Sequence, residues 1–309
     1  SQMQFIAYNQ KEETCRGRHF PCDLTRYLDT WKISDAFHYK QEPIDASKVV
    51  FVTYSSSNHF NESRKVIRSL RAVFDNKIIF YDLGLRPNEI LELSNVCNLE
   101  VKKFKFEKYP SFVAHLLGYN FKPIIMAEVF SQFKDYWIID SSVRFFNITP
   151  HMSQFYSDIS SGKIEPIALR NPTSHSIYAT THQSMLDYLP IDTRLAMDRT
   201  MLEGAYLISR SEMTREAVKW NALCALTKDC MAAPGTELHC EFHGDRYRTP
   251  ANCHRYDQSA INIITTSLLE RDGWKRRYNW FWDGDNPMSK FSSIQREDKD
   301  GNELFIPCK

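Results

Sequence analysis

Between Lys48 and Asp140 the chain alternates four short apolar runs with three stretches of helical periodicity. Val49-Val50-Phe51-Val52-Thr53-Tyr54 is continuously apolar, the mark of a strand buried on both faces. After a polar loop, residues 62–74 place Val66, Ile67, Leu70, Val73 and Phe74 on one helical face. Lys77-Ile78-Ile79-Phe80-Tyr81-Asp82 predicts the next strand, and Pro87 opens a helix through Val96, where proline is tolerated in the first turn. Residues 99–106 predict a third strand, with Lys103 and Lys105 on a solvated face opposite Phe104 and Phe106. A helix over 123–133 and a strand over 136–140 complete a β-α-β-α-β-α-β order. This order predicts an α/β fold with a doubly wound, mostly parallel sheet. Ligands of such sheets sit beyond the carboxyl ends of the strands, which here carry Tyr54-Ser55, Asp82 and Asp140.

Ten glycines are spread so that no two lie closer than nine positions apart. A phosphate-cradling loop needs clustered glycines so that backbone N–H groups can reach the anion. The spacing therefore excludes a GxGxxG fingerprint, a Walker A loop, a kinase glycine-rich loop and a GxSxG elbow. Any nucleotide site must be built without a glycine loop. A formal net charge of +1 gives no bulk reason to expect nucleic acid or an acidic membrane as partner. No apolar run approaches the roughly 18 residues of a membrane span. Ser1-Gln2-Met3 carries no signal peptide, which fits a chain whose targeting segment, and any N-terminal membrane anchor, has been removed. Residues 1–45 show little periodicity and read as an extension or stem, leaving 46–309 as the main domain. The second half predicts strands near 164–169 and 205–208 and helices near 184–189, 212–224 and 257–269. A Cys/His-rich loop fills 229–255.

Eight cysteines stand at 15, 22, 97, 224, 230, 240, 253 and 308, an even count that favours disulfides over metal or free thiols. Asn61-Glu62-Ser63 and Asn147-Ile148-Thr149 are sequons, about the number chance supplies. His239-Cys240-Glu241 offers the H-x-E of a zinc deaminase, but no PCxxC follows. His239 and His243 have the spacing of HExxH, yet Pro234, Gly235 and Gly244 argue against its helix. The stretch reads as a disulfide-stapled loop. Asp283-Gly284-Asp285 reads as a turn, and residues 298–303 resemble a calcium loop without its closing glutamate.

The stretch FKPIIMAEVFSQFKDYWIIDSSVRFF, residues 121–146, delivers Asp140 from a buried strand to the ligand edge. If the backbone stays extended, Ser142 and Arg144 share its side. Later come LEGAYLISRS at 202–211, a helix, and YDQSAIN at 256–262. In this order of pieces, residues 48–270 resemble the GT-A glycosyltransferases, and among them retaining transferases of the glycogenin and lipopolysaccharide galactosyltransferase type. The whole layout looks most like a nematode-expanded group of secretory, glycosyltransferase-like proteins of unassigned function.

The resemblance implies a GT-A-like sheet continuous with a mixed acceptor half. It also implies a nucleotide-sugar donor, most simply a UDP-sugar, and a glycan or glycoprotein hydroxyl as acceptor. Its Asp-x-Asp would hold a divalent cation, but here Ser142 replaces the second acid, and a hydroxyl is a poorer ligand than a carboxylate. The cofactor expectation is none, or Mn²⁺ on Asp140. Arg144, Lys122 or the Lys275-Arg276-Arg277 run would then face the leaving diphosphate. Tyr54, Ser55, Asp82, Asp140 and Ser142 are expected at the donor. Tyr54 either stacks on the base or belongs to the core; Asp82 either accepts from ribose or uracil or caps its turn. Asp257, Gln258 and Glu203 are expected at the reacting sugar, with an N-cap as the structural alternative for Asp257. Gly204 would let the backbone approach a ligand. One carboxylate could act as base for inversion or stabilise an oxocarbenium-like state for retention. The expected location is the Golgi or secretory lumen, or outside the cell. Two other classes compete: a non-catalytic glycan- or protein-binding module on the same fold, and a secreted zinc hydrolase using residues 230–254.

Overall fold

The four apolar runs become four neighbouring parallel strands in the computed structural model, which describes residues 3–8, 14–146, 149–169, 172–271 and 292–296. A hairpin of β1 (Gln4–Tyr8) and β2 (Thr14–His19) and a short helix α1 (Thr25–Thr30) come first. Then follow β3 (Val50–Ser55), α2 (Phe60–Val73), β4 (Ile78–Asp82), α3 (Pro87–Ser94) and β5 (Leu99–Lys103). Helix α4 (Phe121–Phe130) leads into β6 (Asp135–Ile139). Strand β5 ends at Lys103, short of the predicted end, and the buried Phe104 gives the last bond of the ladder, its N–H donating to the Asp82 carbonyl at 3.0 Å.

The second half continues with β7 (Val143–Phe145), α5 (Thr149–Ser160), β8 (Ile167–Leu169) and β9 (Pro172–Ser176). Helices α6 (Gln183–Tyr188) and α7 (Thr193–Asp198) precede β10 (Thr200–Leu202) and β11 (Ala205–Ser209). Helices α8 (Glu212–Ala225), α9 (Lys228–Met231) and α10 (Tyr256–Arg271) follow, and β12 (Ser292–Ile294) pairs with β7. The main sheet has the order β5-β4-β3-β6-β11-β8, with β11 antiparallel to both neighbours. This is the expected fold class: a mostly parallel half continuous with a mixed half.

Strict alternation divides the side chains between two cores. Val50, Val52 and Tyr54 of β3 join Tyr136 and Ile138 of β6 and Tyr206 and Ile208 of β11 on the face covered by α4, α8 and α10. Phe51, Trp137, Ile139, Ala205 and Leu207 point the other way, toward α2 and α5. Burial on both faces is why these strands read as unbroken apolar runs.

The described residues of the segment expected as a stem, 1–45, pack into the main core. Phe5, Phe20, Leu24, Leu28, Trp31 and Ile33 enter the same core as β3 and α8. The Phe5 and Phe20 rings lie 5.5 and 6.0 Å from Trp220, and Arg215 donates to the Ile33 carbonyl at 3.0 Å. Periodicity missed this because β2 exposes all but one of its residues, so the segment anchors through widely spaced apolar positions.

Disulfides join Cys224 to Cys230 and Cys240 to Cys253, and Cys97 is also disulfide-bonded. Cys15 and Cys22 carry free thiols. The two bridges consume Cys230, Cys240 and Cys253, which leaves the zinc alternative without a thiolate ligand in residues 230–254. The Asn147 sequon, Lys275-Arg276-Arg277, Asp283-Gly284-Asp285, residues 298–303 and Cys308 lie outside the described residues.

Candidate active site

A cavity of about 190 Å³ opens at the carboxyl ends of β3 and β6. Four elements supply its charged floor. Strand β3 contributes Tyr54, the first turn of α4 contributes Lys122, the residue after β6 is Asp140, and the first turn of α10 contributes Asp257. The Lys122 ammonium lies 3.0 and 3.2 Å from the two Asp140 oxygens and 3.1 Å from Asp257 Oδ2. Tyr54 donates its hydroxyl to Asp140 Oδ1 and packs edge-on against Phe121, and the Lys122 ammonium also faces the Tyr119 ring at 5.0 Å.

Two backbone devices aim these acids. Gly204 sits at φ 87°, a conformation that favours glycine, and its carbonyl accepts the Asp140 N–H at 2.8 Å. The chain enters α10 through Tyr256 at φ 43°, which costs a non-glycine residue roughly 1–2 kcal/mol. The Tyr256 ring packs 4.8 Å from His254. Asp257 then lies inside the first turn, its carboxylate on Lys122.

Burial sets the protonation equilibria. It pushes Asp257 above the usual carboxylate range, Lys122 pulls it back, and the neighbouring Asp140 charge pushes it up again. Burial works against the Lys122 ammonium, but Asp140 and Asp257 outweigh it and hold the lysine above its ordinary value. Glu203 is raised by burial, with Arg255 and Arg296 opposing. On this wall Arg255 stands 4.0 Å from Glu203 and donates to Gln258 Oε1 at 3.2 Å, while Gln258 Nε2 donates to the Leu202 carbonyl at 3.4 Å.

The fold thus gathers Tyr54, Ser55, Lys122, Asp140, Ser142, Glu203, Asp257 and Gln258 around one cavity. Two expected donor residues lie elsewhere. Asp82 accepts from the Gly84 and Leu85 N–H groups at 2.8 and 2.7 Å, which is the turn-capping alternative. Arg144 does not share a side with Asp140, because the chain turns at Ser141-Ser142 instead of staying extended. Its guanidinium is buried and donates to the Ser141 and Val143 carbonyls at 2.6 and 2.8 Å. Lys122 stands at the cavity as expected, and further positive charge there comes from two residues without a sequence signal of their own, Arg255 and Arg296. Arg255 was legible only as the neighbour of the YDQ start, hidden at the end of the Cys/His loop.

The side chains present do not fit a divalent cation. Asp140 spends both oxygens on Lys122 and Tyr54, Ser142 offers a hydroxyl, and an ammonium already neutralises the acid pair. Among the described residues no group of three His, Cys, Asp or Glu side chains is arranged to hold a metal.

A family described as "Protein of unknown function (DUF1647)" matches residues 1–127, which spans the hairpin and the sheet through the start of α4. The chain is similar in structure to the galactosyltransferase LgtC, solved in complex with donor and acceptor sugar analogues. That likeness has 10% identity and a TM-score of 0.40 and covers 70% of each chain. It is also similar to the bifunctional glycosyltransferase WbbM, with 12% identity and a TM-score of 0.33. There the match covers 78% of this chain and 54% of WbbM. No curated protein matches the chain. At such distances the likeness does not extend to activity.

Proposed function

We propose that this protein transfers a sugar from a nucleotide-sugar, most simply a UDP-sugar, to a hydroxyl of a glycan or glycoprotein, without a divalent cation. The observation that carries the reading is the Lys122 ammonium, held 3.0 Å from Asp140 and 3.1 Å from Asp257 at the carboxyl edge of a parallel sheet. As the glycosidic bond to the diphosphate breaks, negative charge grows on the leaving oxygen and needs a fixed cation. Lys122, with Arg255 and Arg296 on the wall, supplies it. Positive charge grows on the sugar ring at the same time, and the Asp257 carboxylate stabilises it. Glu203, raised by burial, serves as the base for the acceptor proton. Gln258, held by Arg255, positions the sugar hydroxyls. The two disulfides support a lumenal or extracellular location, the Golgi or beyond.

A second reading has its own observation. Four carboxylates, Glu62, Asp140, Glu203 and Asp257, face three cations, Lys122, Arg255 and Arg296, so the cavity does not favour a dianionic diphosphate by charge alone. This balance supports the non-catalytic glycan-binding module. Thermal-shift titration with UDP, GDP and CMP separates the two, because a ligand of the native state raises Tm by mass action. Stabilisation by UDP in EDTA, lost in Lys122→Met, is the expected result. Stabilisation only with Mn²⁺ overturns metal independence, and no response to any nucleotide leaves the binding module.

A further inference from the structure

A second groove, with a cavity of about 720 Å³, lies on the far side of α4 between α1 and the edge strand β5. Lys122 opens α4 at the candidate active site, and Glu128, six residues on, lines this groove about 9 Å further along the helix. The groove is strongly cationic in a chain whose net charge is only +1. Arg26, Lys102, Lys103, Lys105 and Lys108 line it against the single carboxylate of Glu128. That carboxylate is already taken by the hydroxyls of Tyr81 and Tyr109. Arg26, Lys103, Lys105 and Lys108 are exposed, and none forms an ion pair with a described residue.

Lysines on an edge strand also discourage strand addition, which accounts for Lys102 and Lys103 only, since Lys105 and Lys108 lie beyond the end of β5. It does not account for the floor. Tyr27 and Trp31 stack at 5.6 Å, Tyr109 lies 5.8 and 6.1 Å from them, and Arg26 is drawn over the Tyr27 ring at 4.9 Å. The Tyr27 hydroxyl ties this floor to the lysine segment by donating to the Lys108 carbonyl at 3.0 Å.

We propose that this groove binds an anionic polysaccharide, a chain carrying sulfate or carboxylate groups that meet Arg26 and the lysines one by one. The chemistry disfavours the other polyanions. Base stacking needs open aromatic faces, whereas Trp31 is buried and Tyr27 and Tyr109 are half-buried. A membrane surface would be met by protruding apolar side chains, and none of the exposed large hydrophobics, Leu91, Leu117, Phe146 and Leu238, lines the groove. The proposal holds whether or not the first cavity transfers sugar.

The test titrates the full chain by calorimetry with a heparin-derived octasaccharide, a hyaluronan octasaccharide and uncharged dextran, at low and high salt. At least one of the two anionic octasaccharides is expected to bind, more weakly as salt rises, and dextran is not. Which one binds distinguishes sulfate from carboxylate recognition. The exposed triple variant Lys103→Gln/Lys105→Gln/Lys108→Gln is expected to keep its Tm and to weaken binding by about tenfold or more, while Arg248→Gln, outside the groove, leaves it unchanged. Absence of binding, equal binding by the triple variant, or tighter binding of oligo-dT or phosphatidylserine vesicles overturns the proposal.

Discussion

Lys122 sits where removing one side chain exposes two others. Its ammonium is the shared counterion of Asp140 and Asp257, both held at fixed distance by different elements. Lys122→Ala leaves the buried Asp257 carboxylate facing the half-buried Asp140 without a counterion, so chemical denaturation should show a loss of about 3–5 kcal/mol at neutral pH. The loss should shrink as pH falls, because burial already holds Asp257 above the usual carboxylate range and it takes up its proton early. Glu203 carries the opposite linkage. Its folded pKa is raised, so the folded state binds the proton more tightly, and stability falls as pH rises from the ordinary glutamate range through the folded value. Glu203→Gln removes that penalty, and its Tm relative to the parent protein should be more favourable at pH 7 than at pH 4. A constant difference across pH would show that burial of Glu203 carries no such cost. Arg144→Met should lower stability without changing UDP affinity, since its guanidinium serves the Ser141 and Val143 carbonyls.

Elements aim the site through their ends. Strand β11 begins just after Gly204, whose left-handed backbone brings its carbonyl to the Asp140 N–H. Gly204→Ala should cost about 1–2 kcal/mol of stability and displace Asp140, which a loss of UDP response at unchanged secondary structure would reveal. Helix α8 offers a contrast. Ser211 caps it by accepting the Thr214 N–H, in a box closed by the Thr214 hydroxyl, far from any charged side chain of the cavity. Ser211→Ala should cost about 1 kcal/mol and leave nucleotide response intact. The two substitutions separate an element end that builds the site from one that only holds the fold.

At the scale of the whole molecule, the N-terminal hairpin and α1 are part of the core. Phe20 lies 5.3 Å from Tyr188 and 6.0 Å from Trp220, so Phe20→Ala should destabilise the entire chain by about 3–5 kcal/mol. A detachable stem would show almost no change. Two histidines kept neutral by burial contribute to acid sensitivity. His175 and His254 are both held down to about 4, by burial first, so the unfolded chain takes up their protons sooner. Stability from these residues is present above the ordinary histidine value and is lost as pH falls from there through about 4. His254→Gln should flatten the fall of Tm over that range.

The order of strands and helices was legible because their periodicity is local: burial on both faces leaves unbroken apolar runs, and chain order then places Asp140 at the ligand edge. Asp257, Gln258 and Glu203 were legible as carboxylates and amide beside element ends. The Lys122 bridge was not, because its Asp257 arm joins positions more than a hundred residues apart whose separation is set by how α4 and α10 pack on the sheet. Arg144 misled for a related reason: a single turn at Ser141-Ser142 reverses which face it joins, and no spacing rule encodes that turn. The docking of the hairpin on Trp220 and the cationic groove also arise only when distant segments meet. Sequence alone determined the sheet and the acids at its edge. Tertiary packing decided which cation neutralises them, because side-chain charge is local but its counterion is whatever the fold brings within 3 Å.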